Sequence, residues 1–331
     1  MKVEGVSNVR LENLVIRGGG ANGNYPDDRG GGIYLSNVSY SVFTNLVLSN
    51  NSATEVGGGV YVYYGVSNMI SGSVYGNSAS DGGGVFVEFG NNNVINANIY
   101  SNTSTTNGGG VYVYSGVNNM ISGSVYGNSA SQKGGGIFVN GGNNNTISGS
   151  VYGNSASYQG GGIFVSGNSN TISESVYGNS GIYGGGIYVF SGSYNTISGS
   201  VYGNSASYQG GGIFVNDSQN LSILNSYITN NWSTSSTNSV IHLLNSGSLT
   251  GLIISSNYIG GDGGSSSTGI YEDGLEDTTG HVLMDNKFIT NTLSVLYHDK
   301  VSNDLYNITD VNDTSKTGAT SGSTNNVDVN M

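Results

Sequence analysis

Short runs of alternating apolar and other residues recur along most of the chain, and each run follows three consecutive glycines. The glycine triplets begin at residues 30, 57, 82, 108, 134, 160, 184 and 210, so the intervals between them are 27, 25, 26, 26, 26, 24 and 26 residues. The runs that follow read IYL, VYV, VFV, VYV, IFV, IFV, IYV and IFV. Alternation with period two and β-branched residues predicts a β-strand. In this register Ile163 and Val165 face inward, and Phe164 faces outward.

A second strand is predicted in each repeat, from segments such as NTISGSVYGN. Here Ile147, Gly149 and Val151 face inward, whereas Ser150 and Tyr152 face outward. A repeat of about 26 residues with short strands and no apolar pattern of helical length is typical of one coil of a β-solenoid. We therefore predict an all-β fold: a single-stranded, right-handed parallel β-helix whose coils lie about 4.8 Å apart.

Stacked coils place equivalent residues directly above one another, and the YGNS motif with its variants then forms an asparagine column. Asparagine tolerates the left-handed backbone that a coil corner needs, and stacked side-chain amides can hydrogen-bond from coil to coil. The predicted structural ladder contains Asn51, Asn77, Asn102, Asn128, Asn154, Asn179, Asn204 and Asn231.

The regularity of the repeat divides the chain into four segments. Residues 1–56 are predicted to form N-terminal coils with an acidic insertion, and residues 57–216 the regular β-helix repeats. Residues 217–313 are predicted to continue the same solenoid with irregular coils. Residues 314–331 are polar and are expected to form a flexible tail.

Charge excludes one class of function. The net charge is −12 and the eight Lys and Arg residues do not cluster, so a nucleic-acid-binding surface is not expected. Between residues 89 and 261 the formal charges are Lys133, Glu174 and Asp217.

The sequence contains no apolar run of about 18 residues, so no transmembrane helix is predicted. The absence of cysteine excludes disulfides and thiolate metal sites. The N-terminus shows no apolar signal-peptide region, and we expect a fragment or a mature segment.

Outward-facing aromatic residues form two predicted columns that can serve as a binding surface for sugar rings, a host protein or another copy of the chain. Stacked aromatics also stabilise neighbouring strands by about 0.5–1.5 kcal/mol per pair, so a structural role is favoured and a binding role is compatible with it. The first column contains Tyr34, Tyr61, Phe86, Tyr112, Phe138, Phe164, Tyr188 and Phe214, and the second contains Tyr75, Tyr100, Tyr126, Tyr152, Tyr177 and Tyr202.

Two acidic clusters near the ends are the candidate sites for chemistry. The C-terminal cluster contains Glu272, Asp273, Glu276, Asp277 and His281. Paired carboxylates can hydrolyse a glycosidic bond, and the same oxygens can bind calcium, but a solvated acidic loop is the favoured interpretation. At the other end Asp27, Asp28 and Arg29 are expected to form a turn rather than a site.

The repeats resemble those of polymorphic outer membrane proteins, within the pectate-lyase-like β-helix superfamily. That family pairs a GGA[ILV] motif with an FxxN motif; here GGGI or GGGV stands for the first, and YGNS, LSNNSA and YITNN stand for the second. The resemblance covers about residues 30–233 and implies an exported surface protein, often an adhesin.

The sequence therefore predicts a non-catalytic extracellular or cell-surface β-helix that acts as an adhesin or structural stalk through multivalent contacts. Its expected partner is a carbohydrate or a protein on a host or neighbouring cell, with end-to-end self-association as a further expectation. No cofactor is expected, apart from calcium at the acidic cluster. The alternative is a polysaccharide lyase or glycoside hydrolase with its site in the C-terminal coils. An ice-binding solenoid is less favoured, because the repeats lack a threonine ladder.

Overall fold

Each regular coil of the chain passes through three strand positions, which stack with those of neighbouring coils into three sheets. The computed structural model describes residues 1–234, 238–245, 249–260, 268–274, 282–284, 286–288, 295–299 and 304–306. Within this part of the chain all secondary structure is β-strand, and no helix is long and apolar enough to cross a membrane. The predicted tail, residues 314–331, lies outside the described residues.

Sheet 1 contains the strands that follow the glycine triplets. Its strands are Lys2–Glu4, Ile33–Ser36, Val60–Tyr63, Val85–Glu88, Val111–Tyr114, Ile137–Asn140, Ile163–Ser166, Ile187–Phe190, Ile213–Asn216, Ser239–Asn245, Thr268–Gly274, Val295–Asp299 and Asp304–Tyr306. Its pairings are parallel except the last, between Val295–Asp299 and Asp304–Tyr306.

Sheet 2 receives one long strand or two short strands from each coil. Its strands are Arg10–Glu12, Val15–Arg17, Val42–Ser49, Met69–Tyr75, Val94–Tyr100, Met120–Ile121, Val125–Tyr126, Thr146–Ile147, Val151–Tyr152, Thr171–Ile172, Val176–Tyr177, Thr196–Ile197, Val201–Tyr202, Ser222–Leu224, Tyr227–Thr229, Ile253–Ser255, Tyr258–Ile259, Val282–Met284 and Lys287–Phe288.

Sheet 3 consists of the short strands that precede the glycine triplets. Its strands are Gly20–Ala21, Ser52–Ala53, Ser78–Ala79, Thr103–Ser104, Ser129–Ala130, Ser155–Ala156, Ser180–Tyr183, Ser205–Gln209 and Trp232–Ser233.

Successive coils pair residue for residue, which confirms the predicted parallel solenoid. Phe164, for example, pairs with Phe138 in one neighbouring coil and with Tyr188 in the other. The predicted inward positions are also correct, since Ile163 and Val165 are buried in one apolar core that runs through the coils. This register places residues of the same type above one another in columns that run from coil to coil.

The predicted asparagine ladder is confirmed, and its members are fully buried from Asn51 to Asn231. From Asn77 to Asn231, the side-chain oxygen of each asparagine accepts from both the backbone N–H and the side-chain NH₂ of the asparagine one coil before it, at 2.9–3.0 Å. The same NH₂ donates its other hydrogen to a main-chain carbonyl, as Asn128 does to Ile99 at 2.9 Å. Each amide is therefore satisfied by its neighbours.

A second asparagine ladder lies before the sheet 2 strands and was not predicted. Its amides bond from coil to coil in the same manner, for example from Asn93 to Asn119 at 3.0 Å. Its buried members are Asn68, Asn93, Asn119, Asn145, Asn170 and Asn195. The constant interval of 25 or 26 residues between these asparagines is the sequence signal that marks them.

The glycine triplets are required by close backbone contact between coils. Gly108 adopts a φ of +62°, in the left-handed region where glycine carries no penalty. A Cβ atom on Gly110 would lie 2.7 Å from the carbonyl oxygen of Gly136 in the next coil. Side chains are thus excluded from this corner.

Replacing Asn128 by alanine is expected to lower the free energy of unfolding by at least about 3 kcal/mol. The substitution leaves the backbone and side-chain donors of Asn102 and the carbonyl of Ile99 without these hydrogen-bond partners. Each buried unpaired group costs about 1–3 kcal/mol. Urea unfolding followed by circular dichroism measures the difference.

The matched control is Asn98→Ala, which removes an exposed asparagine from the outer side of sheet 2. It should change stability by less than about 0.5 kcal/mol. Equal stabilities of the two variants would contradict a structural role for the ladder.

Candidate functional site

A ladder of six stacked tyrosines runs along the outer side of sheet 2. The ring centroids are 4.8–4.9 Å apart and the ring planes are within 1–7° of parallel. The tyrosine ladder consists of Tyr75, Tyr100, Tyr126, Tyr152, Tyr177 and Tyr202. Each tyrosine follows an inward valine or isoleucine by one position, so the strand alternation turns its ring to the outside.

The stacking determines which part of each ring the solvent meets. Neighbouring rings cover both faces of the interior tyrosines, which leaves ring edges and hydroxyl groups at the surface. Tyr202 is the most exposed member, at 37%, and pairs in the next coil with Thr229 rather than with another ring. Ring faces are therefore offered at the ends of the tyrosine ladder, and hydroxyl groups along its length.

The surroundings of the tyrosine ladder carry almost no charge. Glu174, exposed between two sheet 2 strands, is the single formally charged residue from 134 to 216 in the sequence. Burial raises the pKa of Tyr126 and Tyr177, and the adjacent tyrosines raise it further. These phenols are neutral at physiological pH and act as hydrogen-bond donors and acceptors.

A further stacked pair, Tyr227 and Tyr258, continues the aromatic surface in the less regular coils. Their ring centroids lie 4.6 Å apart at an angle of 8°, and both rings are exposed. Tyr227 precedes the residue that pairs with Val201, whereas Tyr202 follows Val201, so the column is displaced across the sheet. This pair is not predicted from the sequence, because the repeat changes length here.

The expectation that the first aromatic column faces solvent is wrong. Its residues are 1–6% exposed and form a second apolar cluster outside sheet 1: Tyr34, Tyr61, Phe86, Tyr112, Phe138, Phe164, Tyr188 and Phe214. Residues just before the glycine triplets cover them. Lys133 Nζ lies 5.0 Å from the centroid of the Phe164 ring, and the Tyr183 ring lies 5.4 Å from that of Phe214.

The buried tyrosines of this column use their hydroxyl groups within the protein. The Tyr112 hydroxyl accepts from Asn140 at 3.0 Å, and that of Tyr188 accepts from Asn216 at 3.2 Å. Burial raises the pKa of both tyrosines to about 12, although the hydrogen bonds oppose the shift. This column contributes packing rather than an exposed surface.

The C-terminal acidic cluster does not bring Glu272 and Asp273 together. Glu272 is 1% exposed and pairs with the core residue Leu243, whereas Asp273 is the next residue on the same strand and therefore points to the opposite side. Glu276, Asp277 and His281 lie outside the described residues. No group of three His, Asp or Glu side chains in the described part of the chain is placed to hold a metal ion.

His242 is a packing residue. Its buried ring is stacked between Phe214 and Tyr271, with centroids 4.9 and 5.1 Å away, and Nδ1 lies 3.2 Å from the Ser239 hydroxyl.

The N-terminal acidic insertion contributes to a polar cluster that spans several coils. The prediction of a simple turn at this insertion did not include these contacts. Arg29 donates to the Tyr61 hydroxyl at 3.1 Å and to Glu88 Oε2 at 3.3 Å, and its Nε lies 3.5 Å from Asp28. The Tyr61 hydroxyl also donates to Glu88 Oε2. Burial, reinforced by Glu88, raises the pKa of Tyr61 well above its usual value. Asp27 remains exposed.

Comparison with known proteins assigns the family. Residues 83–259, more than half of the chain, match the family model described as the right handed beta helix region. The chain therefore belongs to the right-handed β-helix family. The narrower resemblance to polymorphic outer membrane proteins remains a prediction.

One solved structure is similar over most of the chain: the A-module of a mannuronan C-5 epimerase from Azotobacter vinelandii. The identity is 16% and the TM-score 0.40, over 87% of this chain and 86% of that chain. No curated protein matches the sequence.

Alkaline pH is expected to destabilise the fold through Tyr112 and Tyr188. Between about pH 10, where an unfolded tyrosine ionises, and pH 12, the folded state holds protons that the unfolded state has lost, so stability falls as pH rises. The loss should be on the order of 2 kcal/mol for each tyrosine by pH 12.

Urea unfolding at pH 9 to 12 of the Tyr112→Phe/Tyr188→Phe variant should show a shallower loss of stability than the parent protein. Ser124→Ala, on the outer side of sheet 2, serves as the control. A loss as steep in the double variant as in the parent would refute this role of the two buried hydroxyls.

Proposed function

We propose that the protein is a non-catalytic extracellular or cell-surface rod, an adhesin or structural stalk, that makes repeated contacts through sheet 2. The observation that carries this proposal is the tyrosine ladder, a row of partly exposed phenols at 4.8–4.9 Å spacing in a surface with almost no charge.

Repetition supports a multivalent mode of contact. Each of the six coils in the tyrosine ladder presents a tyrosine hydroxyl and, two residues earlier, a small polar side chain such as Ser150 before Tyr152 or Ser175 before Tyr177. One coil offers few hydrogen bonds, but contacts on one rigid body add without a new loss of translational freedom. The buried amide ladders fix the spacing at which these contacts recur.

The geometry of the tyrosine ladder favours partners that hydrogen-bond. The faces of the interior rings are occupied, so a sugar ring cannot stack on Tyr126 or Tyr152. Hydroxyl-rich polysaccharides and the surface proteins of host or neighbouring cells both offer the required donors and acceptors. Stacking on a ring face is available at Tyr202.

The alternative, a polysaccharide lyase or hydrolase in the C-terminal coils, receives less support. Glu272 and Asp273 point to opposite sides of one strand, and the long middle of the chain has almost no titratable acid or base.

Affinity electrophoresis through gels that contain different polysaccharides, with polymer length measured afterwards, tests the proposal. Retardation without shortening is the expected result, and Tyr126→Ser/Tyr152→Ser should weaken it several-fold because two contacts in the row are lost. The control is Tyr194→Ser, which removes a tyrosine that is 64% exposed and lies outside the tyrosine ladder.

Shortening of a polymer would contradict a non-catalytic role. Retardation that the ladder substitutions leave unchanged would reject sheet 2 as the contact surface. If no polysaccharide retards the protein, polysaccharide binding is excluded, and a protein partner or a structural stalk is the role that fits.

A further inference from the structure

Four aromatic rings gather at the N-terminal end of sheet 1, where the chain turns from sheet 1 toward sheet 2. We call Tyr63, Tyr64, Phe89 and Tyr114 the corner aromatic cluster. The ring centroids of Tyr63 and Tyr64 are 4.5 Å apart, those of Tyr64 and Phe89 5.1 Å, and those of Phe89 and Tyr114 5.5 Å. Tyr64 is 47% exposed and the other three rings are partly exposed. This cluster is separate from the tyrosine ladder.

The backbone at Tyr64 and Phe89 is unusual for aromatic residues. Their φ angles are +50° and +53°, in the left-handed region that bulky side chains avoid. The same corner in other coils carries small, Asx or glycine residues: Asn37, Ser115, Gly141, Gly167, Ser191 and Asp217. Two neighbouring coils thus place large rings where the fold favours small residues. Strain of this kind concentrates at functional sites.

A charged pair lies beside the rings. Glu88 pairs in sheet 1 with Tyr63 on one side and Tyr114 on the other, so its carboxylate stands between their side chains. The hydrogen bonds from Arg29 and Tyr61 both reach Oε2, which leaves Oε1 to accept from another group. The equivalents of Glu88 in the coils that follow are Tyr114, Asn140, Ser166, Phe190, Asn216 and Leu244, and the next carboxylate in this column is Asp273.

Tyr64 is the most exposed ring of the corner aromatic cluster. The Phe89 ring stacks on it at an angle of 21°, and the Tyr63 ring meets it at 64°. The preceding coil carries Asn37 at the equivalent corner, so no ring of that coil stacks on Tyr64. The corner aromatic cluster therefore offers exposed aromatic surface beside a carboxylate, whereas the interior rings of the tyrosine ladder are stacked on both faces.

The charge around the cluster restricts the class of ligand. Asp28 and Glu88 flank Arg29, and Tyr25 lies over the guanidinium at 4.9 Å. Carboxylates thus outnumber the cation, which disfavours a polyanion such as a polyuronate.

We propose that the corner aromatic cluster is a binding site for a neutral glycan. The apolar C–H face of one sugar ring packs on Tyr64, while a sugar hydroxyl donates to Glu88 Oε1 and another accepts from Arg29. Aromatic walls combined with a few convergent polar groups are the usual composition of such sites. The site lies on a different sheet from the tyrosine ladder and does not depend on the function proposed for it.

The test uses immobilised oligosaccharides as probes: neutral ones derived from cellulose, xylan, mannan, β-1,3-glucan and chitin, and acidic ones derived from polygalacturonate and alginate. The full chain should bind at least one neutral probe and bind the acidic probes less. Titration calorimetry with the best neutral probe then gives the affinity of each variant.

Tyr64→Asn and Phe89→Ser introduce residue types that the same corner carries in other coils. Each should lower the affinity at least tenfold without lowering the melting temperature, because the backbone strain is relieved. A purely structural role of the rings would lower the melting temperature instead. Glu88→Gln should weaken binding as well, and Tyr194→Ser, outside both the corner aromatic cluster and the tyrosine ladder, should leave this affinity unchanged.

Binding to no neutral probe, stronger binding to the acidic probes, or unchanged affinity in Tyr64→Asn and Phe89→Ser would overturn the proposal. Loss of the same affinity in Tyr152→Ser, in the tyrosine ladder, would assign the binding to sheet 2 and overturn it as well.

Discussion

A buried asparagine amide must find two acceptors and two donors, and this requirement constrains the whole molecule. Each ladder residue meets it with the asparagine of the next coil, the asparagine of the previous coil and a main-chain carbonyl, so no coil can slip without leaving polar groups unpaired. The nearly constant repeat length, the close glycine corners and the continuous aliphatic core follow from this fixed register. The amides specify alignment, and apolar burial supplies the stabilisation.

The same register shapes the outer surface. Stacking at strand spacing aligns the rings of the tyrosine ladder face to face, which leaves edges and hydroxyls for a partner. Departures from the column rule are therefore informative. Tyr64 and Phe89 break a column that small, Asx or glycine residues occupy elsewhere, and Glu88, the one carboxylate of its own column between Ser36 and Leu244, lies beside them. Positions where the repeated residue type changes therefore indicate side chains with a role other than the stacking of coils.

The local pattern was sufficient to predict the strands of sheets 1 and 2, the inward residues and one asparagine ladder, because each depends on alternation and repeat length. It did not predict sheet 3, because strands of two residues such as Ser129–Ala130 are too short to show an alternation. It could not predict that the first aromatic column is covered: alternation tells which side of sheet 1 Phe164 occupies, but not that Lys133 folds over that side. The link from Arg29 to Glu88 joins residues 59 positions apart through a tyrosine in a third segment. Contacts of that kind depend on the stacking of particular coils.

The most direct test of the fixed register is site-resolved amide hydrogen exchange. The backbone N–H groups of Asn102, Asn128 and Asn154 donate to buried side-chain oxygens in the next coil. They should exchange only through global unfolding, at the same free energy as the core strands of sheet 1. Exchange of these amides at rates close to those of an unfolded chain, while the sheet 1 strands stay protected, would contradict the account.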